Sequence, residues 1–156
     1  MGVAKAGVGN VVFTSRTRAE VPGRPSPLVP DYRATERLLA DSGPPFAVVR
    51  FNVWVEMLTL IGVAPRAIAT GVLPGNSRDG RIGHLTLDDS AAVAATVLAE
   101  GGSQGEILEV TGPEAVTDTD IAAALTEATG HRVRLTGRPA APVADYFAAH
   151  RADLVG

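Results

Sequence analysis

The chain has 156 residues, 46% of them apolar and 20% charged, and a net charge of −3 at neutral pH. That balance suits a single globular domain over 1–156 and excludes a disordered chain. An acidic sequence without a basic block also gives nucleic acid and anionic membranes no electrostatic footing as partners.

Taken in order, Gly2 to Gly9 reads as a helix tail ending at glycine. Asn10 to Ser15 is an unbroken apolar run with β-branched residues, the pattern of a strand covered on both faces. Arg16 to Pro30 holds four prolines and three arginines, so a loop is expected. A helix follows over about Asp31 to Ser42, opened by Pro30 and ended by Gly43-Pro44-Pro45, with Ala34, Leu38 and Leu39 on its apolar face. Phe46 to Phe51 is a second buried strand, which makes the first three elements a βαβ crossover. Val53 to Ile61 suits a short helix or lid.

Ala69 to Leu73 and Arg81 to Thr86 flank the turn-rich Pro74 to Gly80 and predict a small hairpin. Asp88-Asp89 reads as the cap of a helix over Ala91 to Ala99, stopped by Gly101-Gly102. Ile107 to Thr111 is a third strand. Thr117 to Asp120 carries a helix-start signal for a helix running to Gly130. Arg132 to Thr136 and Pro142 to Leu154 suit a last strand and a C-terminal helix. The expectation is an α/β, three-layer fold with three central parallel strands, a small hairpin and a C-terminal segment. Val53 to Leu73, the longest apolar stretch, is interrupted by Glu56, Pro65 and Arg66 and is too broken to span a bilayer. With no cysteine, disulfides and thiolate chemistry are excluded, which fits the cytoplasm. No apolar leader opens the chain.

Gly7 to Ser15, then Arg33 to Leu39, then Ser42 to Phe46 with Val48-Val49-Arg50 resemble successive blocks of NmrA-like atypical short-chain dehydrogenases/reductases. So do Glu56, Gly80 to Ile82, Asp89, Glu109 to Glu114 and Thr129-Gly130. The order and spacing of these blocks resemble the C-terminal, substrate-side half of the family, with members of the NAD(P)H:quinone-oxidoreductase type most similar. The resemblance implies a Rossmann-like sheet and an NAD(P)-dependent oxidoreductase, the dinucleotide being held by an N-terminal half. None of that half's glycine-rich fingerprint is present: Gly7 and Gly9 precede a strand instead of opening a helix. NAD(P) is therefore implied by the family only, and this chain is expected to bind none by itself.

The family's Tyr-x-x-x-Lys pair aligns here with Leu28 and Tyr32, and its serine with Ser15 or Arg16. Without the lysine nothing depresses a tyrosine pKa for proton transfer, so Ser15 and Tyr32 are weak catalytic candidates. The residues expected to line a substrate or cofactor pocket are Ser15, Arg16, Tyr32, Phe51, Asn52, Trp54 and His84. Trp54 and Met57 suit stacking on a flat ring, against a plain core role. Arg16, Arg18 and Arg24 suit a phosphate, against a solvated loop. Asp88-Asp89 suits a helix cap better than an acid–base pair. His84, His131 and His150 have no metal-ligand spacing, so no metal is expected.

Three functions are compatible with these residues. One is a reductase-like protein lacking its nucleotide half. Another is a cofactor-independent cyclase or isomerase for a small natural product. The last is a non-catalytic, NAD(P)-sensing binding module. In the family's sheet the strand matching Asn10 to Ser15 is interior. Its uncharged edge here predicts a homo-oligomer, or a partner supplying the missing half.

Overall fold

The computed structural model describes residues 7–17, 29–75, 77, 79–101 and 105–136. They fall into two compact units, one of residues 1–60 with 82–115, the other of 61–81 with 116–156. The expected helix tail before Gly7, the loop arginines Arg18 and Arg24, Leu28 and the expected helix over Pro142 to Leu154 lie outside the described residues.

The first unit is built on a three-stranded parallel sheet of β1 (Val11–Arg16), β2 (Phe46–Phe51) and β4 (Glu106–Val110), in the order β1-β2-β4. Helix α1 (Val29–Ala40) connects β1 to β2. Pro30 lies in its first turn, where a missing N–H costs nothing. Helix α4 (Leu87–Glu100) precedes β4. Alternation of side chains along β2 assigns its two faces. Ala47, Val49 and Phe51 pack with Val93, Ala94 and Val97 of α4, and with Leu85. Arg50, pointing the other way, meets Glu36 of α1. With both faces covered, β2 needs no polar alternation, and five of its six residues are buried. Its neighbour β4, by contrast, alternates: Leu108 and Val110 join the core, while Ile107 is exposed.

Helix α4 starts at Thr86, whose hydroxyl accepts the Asp89 N–H. This corrects the expected Asp cap: Asp88 and Asp89 stand inside the first turn, where their negative charge suits the positive helix end. Gly101 closes the helix at φ 86°, a conformation glycine adopts without steric cost.

The second unit contains α3 (Val63–Thr70), β3 (Val72–Pro74), α5 (Asp118–Thr129) and β5 (Arg134–Thr136). Here the expected hairpin is overturned. β3 pairs with β5 in parallel, Leu73 opposite Leu135, and 81–86 contributes no strand to that sheet. The turn-rich 74–80 stretch signals a change of direction, but sequence gives no partner. The partner here is some sixty residues distant, and Ala67, Leu73, Ala122 and Val133 bury the contact. The expected start of α5 is a full capping box: Thr117 accepts the Asp120 N–H, and Asp120 accepts the Thr117 N–H.

Helix α2 (Met57–Leu60) is the short helix expected after β2. Among the described residues no helix is long and apolar enough to cross a membrane.

Candidate functional site

In open parallel sheets, ligands sit beyond the carboxyl ends of the strands, where backbone ends and loop side chains converge. A cavity of about 310 Å³ lies at that end of β1 and β2. Its walls are Thr14, Ser15, Arg16 and Thr17 from β1 and its exit, Tyr32 from the first turns of α1, and Phe51, Asn52, Val53, Trp54 and Met57 from β2 and its exit. Six of the seven expected lining residues are thus brought together. The seventh, His84, is not among the walls. A larger groove of about 610 Å³ runs beside α1 over Phe46, Val48 and Ile107. It lies on the sheet face, away from the strand ends, with Arg33, Glu36 and Arg37 of α1 beside its apolar floor.

Sheet register sets the polar wall. Ser15 pairs with Arg50 and Arg50 with Glu109, which places three polar side chains abreast in one row. Glu36 of α1 lies over that row. It accepts from the Ser15 hydroxyl at 2.6 Å, from Arg50 Nε at 3.0 Å and from Arg50 Nη2 at 2.6 Å. Arg50 Nη1 reaches the half-exposed Glu109 at 3.2 Å. Only 4% of Arg50 is exposed, so its charge is compatible with the interior only because it is paired side-on by a carboxylate. Burial pushes the Glu36 carboxyl up. The hydrogen bonds from Arg50 and Ser15, with the positive charges of Arg50 and Arg33, outweigh that and hold it below the usual glutamate range.

Tyr32 packs against Phe13 of β1, ring centroids 6.3 Å apart and planes at 43°. Four residues after Tyr32 comes Glu36, a carboxylate. Trp54 is held by Nε1 donating to Ser90 Oγ at 3.0 Å, and Ser90 in turn donates to the Thr86 carbonyl. Asn52 donates to Thr111 Oγ1 at 3.3 Å and accepts from the Val53 N–H. Thr111 donates to the Gly83 carbonyl, and the Gly112 N–H does the same. A Cβ on Gly112 would overlap the His84 carbonyl, so the 83–84 backbone lies directly on the end of β4. Both ring nitrogens of His84 are buried without a hydrogen-bond partner.

The cavity combines a guanidinium, a phenol and hydroxyls with the apolar surfaces of Trp54 and Met57, which suits a flat ring bearing polar oxygens. Among the described residues there is no cluster of histidine and carboxylates that could hold a metal. Thr14, Thr17 and Val53 were not expected in the walls, although each adjoins a residue that was. Glu36 as the partner of Ser15 is found only from strand register; one turn after Tyr32 on the same helix face was the available signal.

No protein-family profile matches the chain. Quinone oxidoreductase 2 of Escherichia coli K12 is 38% identical over 128 residues, 82% of this chain and 43% of that protein. An NmrA-like family domain-containing oxidoreductase of Aspergillus flavus is 30% identical over 102 residues, 65% of this chain and 32% of that protein. The crystal structure of the Escherichia coli NADPH-dependent quinone oxidoreductase superposes with a TM-score of 0.77 at 35% identity, over 97% of this chain and 52% of that one. The chain belongs to the NmrA-like, atypical short-chain dehydrogenases/reductases. It spans about half the length of the Escherichia coli enzyme and about a third of the Aspergillus flavus protein, shares that fit a C-terminal half. These relatives are oxidoreductases, and the Escherichia coli enzyme is NADPH-dependent and also solved in complex with NADPH. The parallel sheet of three is the Rossmann-like element shared with them.

A dinucleotide's pyrophosphate needs open N–H groups at a helix start. Here Thr86 occupies the start of α4 and the Thr117–Asp120 box that of α5. These helix starts do not fit the group.

Proposed function

We propose that this chain forms the substrate-side pocket of an NAD(P)-dependent oxidoreductase for small, flat, quinone-like compounds, and that it does not hold the dinucleotide by itself. The observation that carries the reading is the cavity at the carboxyl ends of β1 and β2, lined by Arg16 and Tyr32 together with Trp54 and Met57. In it Trp54 and Met57 take the ring, and Arg16 and Tyr32 bind its oxygens. Tyr32 acts as a hydrogen-bond partner and not as a proton donor, because the residue one turn on is Glu36 and not a cation. The absence of a strand–glycine turn–helix fingerprint from the 156 residues supports the second half of the reading.

Calorimetry with NADPH tests it: the isolated chain is expected to bind no tighter than about millimolar, since the phosphate cradle is lacking. Micromolar binding would contradict it. A non-catalytic, ligand-sensing module is the second reading, favoured by Ser15, whose hydroxyl proton is directed to Glu36 and not into the cavity. Ligand binding without turnover in the presence of the dinucleotide-binding half would select it.

We also place the protein in the cytoplasm and infer that a second chain covers the edge of β1. Among the described residues β1 pairs with β2 alone, and its Val11, Val12 and Phe13 are only partly buried. Such an edge invites strand pairing. Light scattering across a concentration series is expected to give more than the monomer mass.

A further inference from the structure

A serine hydroxyl has one proton and two lone pairs, whereas an ionised carboxylate only accepts. Ser15 Oγ stands 2.6 Å from Glu36 Oε1, so the serine is the donor in that contact. Glu36 is held ionised by the side-on Arg50 fork, which is itself buried. The serine proton is therefore committed before any ligand arrives. Ser15 is 5% exposed and lines the cavity, where it has only lone pairs to offer.

We propose that Ser15 is a specificity-determining acceptor, fixed as such by the positioning residues Glu36 and Arg50, so that the cavity prefers an aromatic ligand presenting an O–H donor, such as a phenol or hydroquinone, over the matching quinone or ether. The inference rests on reading this cavity as the substrate site. It assigns the Ser15 end to the reduced, hydroxyl-bearing form of a quinoid ring. A carbonyl oxygen placed there would set lone pair against lone pair. On this account the reduced compound is held more tightly than its oxidised partner, which makes it a competitive inhibitor of the forward reaction.

The test uses the whole chain and three probes of nearly equal ring size: a naphthol, its methyl ether and the corresponding naphthoquinone, each titrated by calorimetry. The naphthol is expected to bind about threefold to tenfold tighter than the ether or the quinone, the effect of one net hydrogen bond. Ser15→Ala is expected to abolish that preference, the three probes then binding within about twofold of one another. Equal affinities for the three probes, or tighter binding of the quinone, would overturn the acceptor role and leave the cavity as a substrate site. Failure of all three to bind a folded chain would overturn the cavity reading, and the acceptor role with it. Because the probe comparison is made on the unaltered protein, it stands even where the Ser15→Ala variant does not fold.

Discussion

The two faces of β2 divide its six residues, three to each, and use them for different ends. Toward α4 the strand presents Ala47, Val49 and Phe51 to hydrocarbon. Toward α1 it presents Phe46, Val48 and then Arg50, which is bound to Glu36 and Glu109. The hydrocarbon face holds the sheet together through burial, its fully buried Val49 contributing about 1.5–3 kcal/mol. The charged row stabilises little on balance, because desolvation offsets most of the attraction. Its effect is on orientation. It sits next to the carboxyl end of the strands and fixes which way Ser15 points its proton. A face built for adhesion can tolerate changes of shape, whereas a face built for orientation fails when one partner is removed.

That difference can be broken first at Arg50. Arg50→Ala leaves the Glu36 carboxylate in a largely buried site without its counter-charge, and is expected to lower stability by about 3 kcal/mol, read as a shift in the urea midpoint. On the opposite face, Val49→Ala is expected to cost about 2 kcal/mol from lost burial and a small cavity, with the same cost at every pH.

Acid sharpens the contrast. The Glu36 carboxyl is lower in the folded chain than its ordinary value near 4.5. A depressed carboxylate contributes stability that is complete above the unfolded value and is lost as pH falls through the folded value. Melting temperatures measured downward from about pH 5 should therefore fall more steeply for the unaltered chain than for Glu36→Gln. Val49→Ala should run parallel to the unaltered chain. The smallest effect is expected at Tyr32. With turnover in the presence of the dinucleotide-binding half as the readout, Tyr32→Phe should change the rate by less than about tenfold, below the usual contribution of a general acid.

Much of this was legible in the sequence. The strand at Phe46–Phe51 is read directly, since an apolar run of strand length between Pro45 and Asn52 leaves little alternative. Thr117 to Asp120 announces its helix by chemistry local to four residues. The gathering of Ser15, Tyr32 and Trp54 at one cavity follows once the strands are parallel, because parallel strands end on the same side. What sequence could not give is pairing at a distance. Val72–Pro74 finds its partner at Arg134–Thr136, and Glu36 finds Ser15 and Arg50, through register and helix docking. The Asp88-Asp89 reading missed by two residues for a related reason. Both threonine and aspartate can cap, and only the backbone turn at Thr86 decides which does.

Trp54 is the only tryptophan in the chain and stands in the cavity wall, so its fluorescence reports directly on what enters. Titration with a naphthoquinone should quench it saturably, and raising the concentration of a competing naphthol should restore it. Quenching that rises linearly without saturation, equal to that of free tryptophan, in a chain whose circular dichroism shows it folded, would contradict the assignment of this cavity as the substrate site.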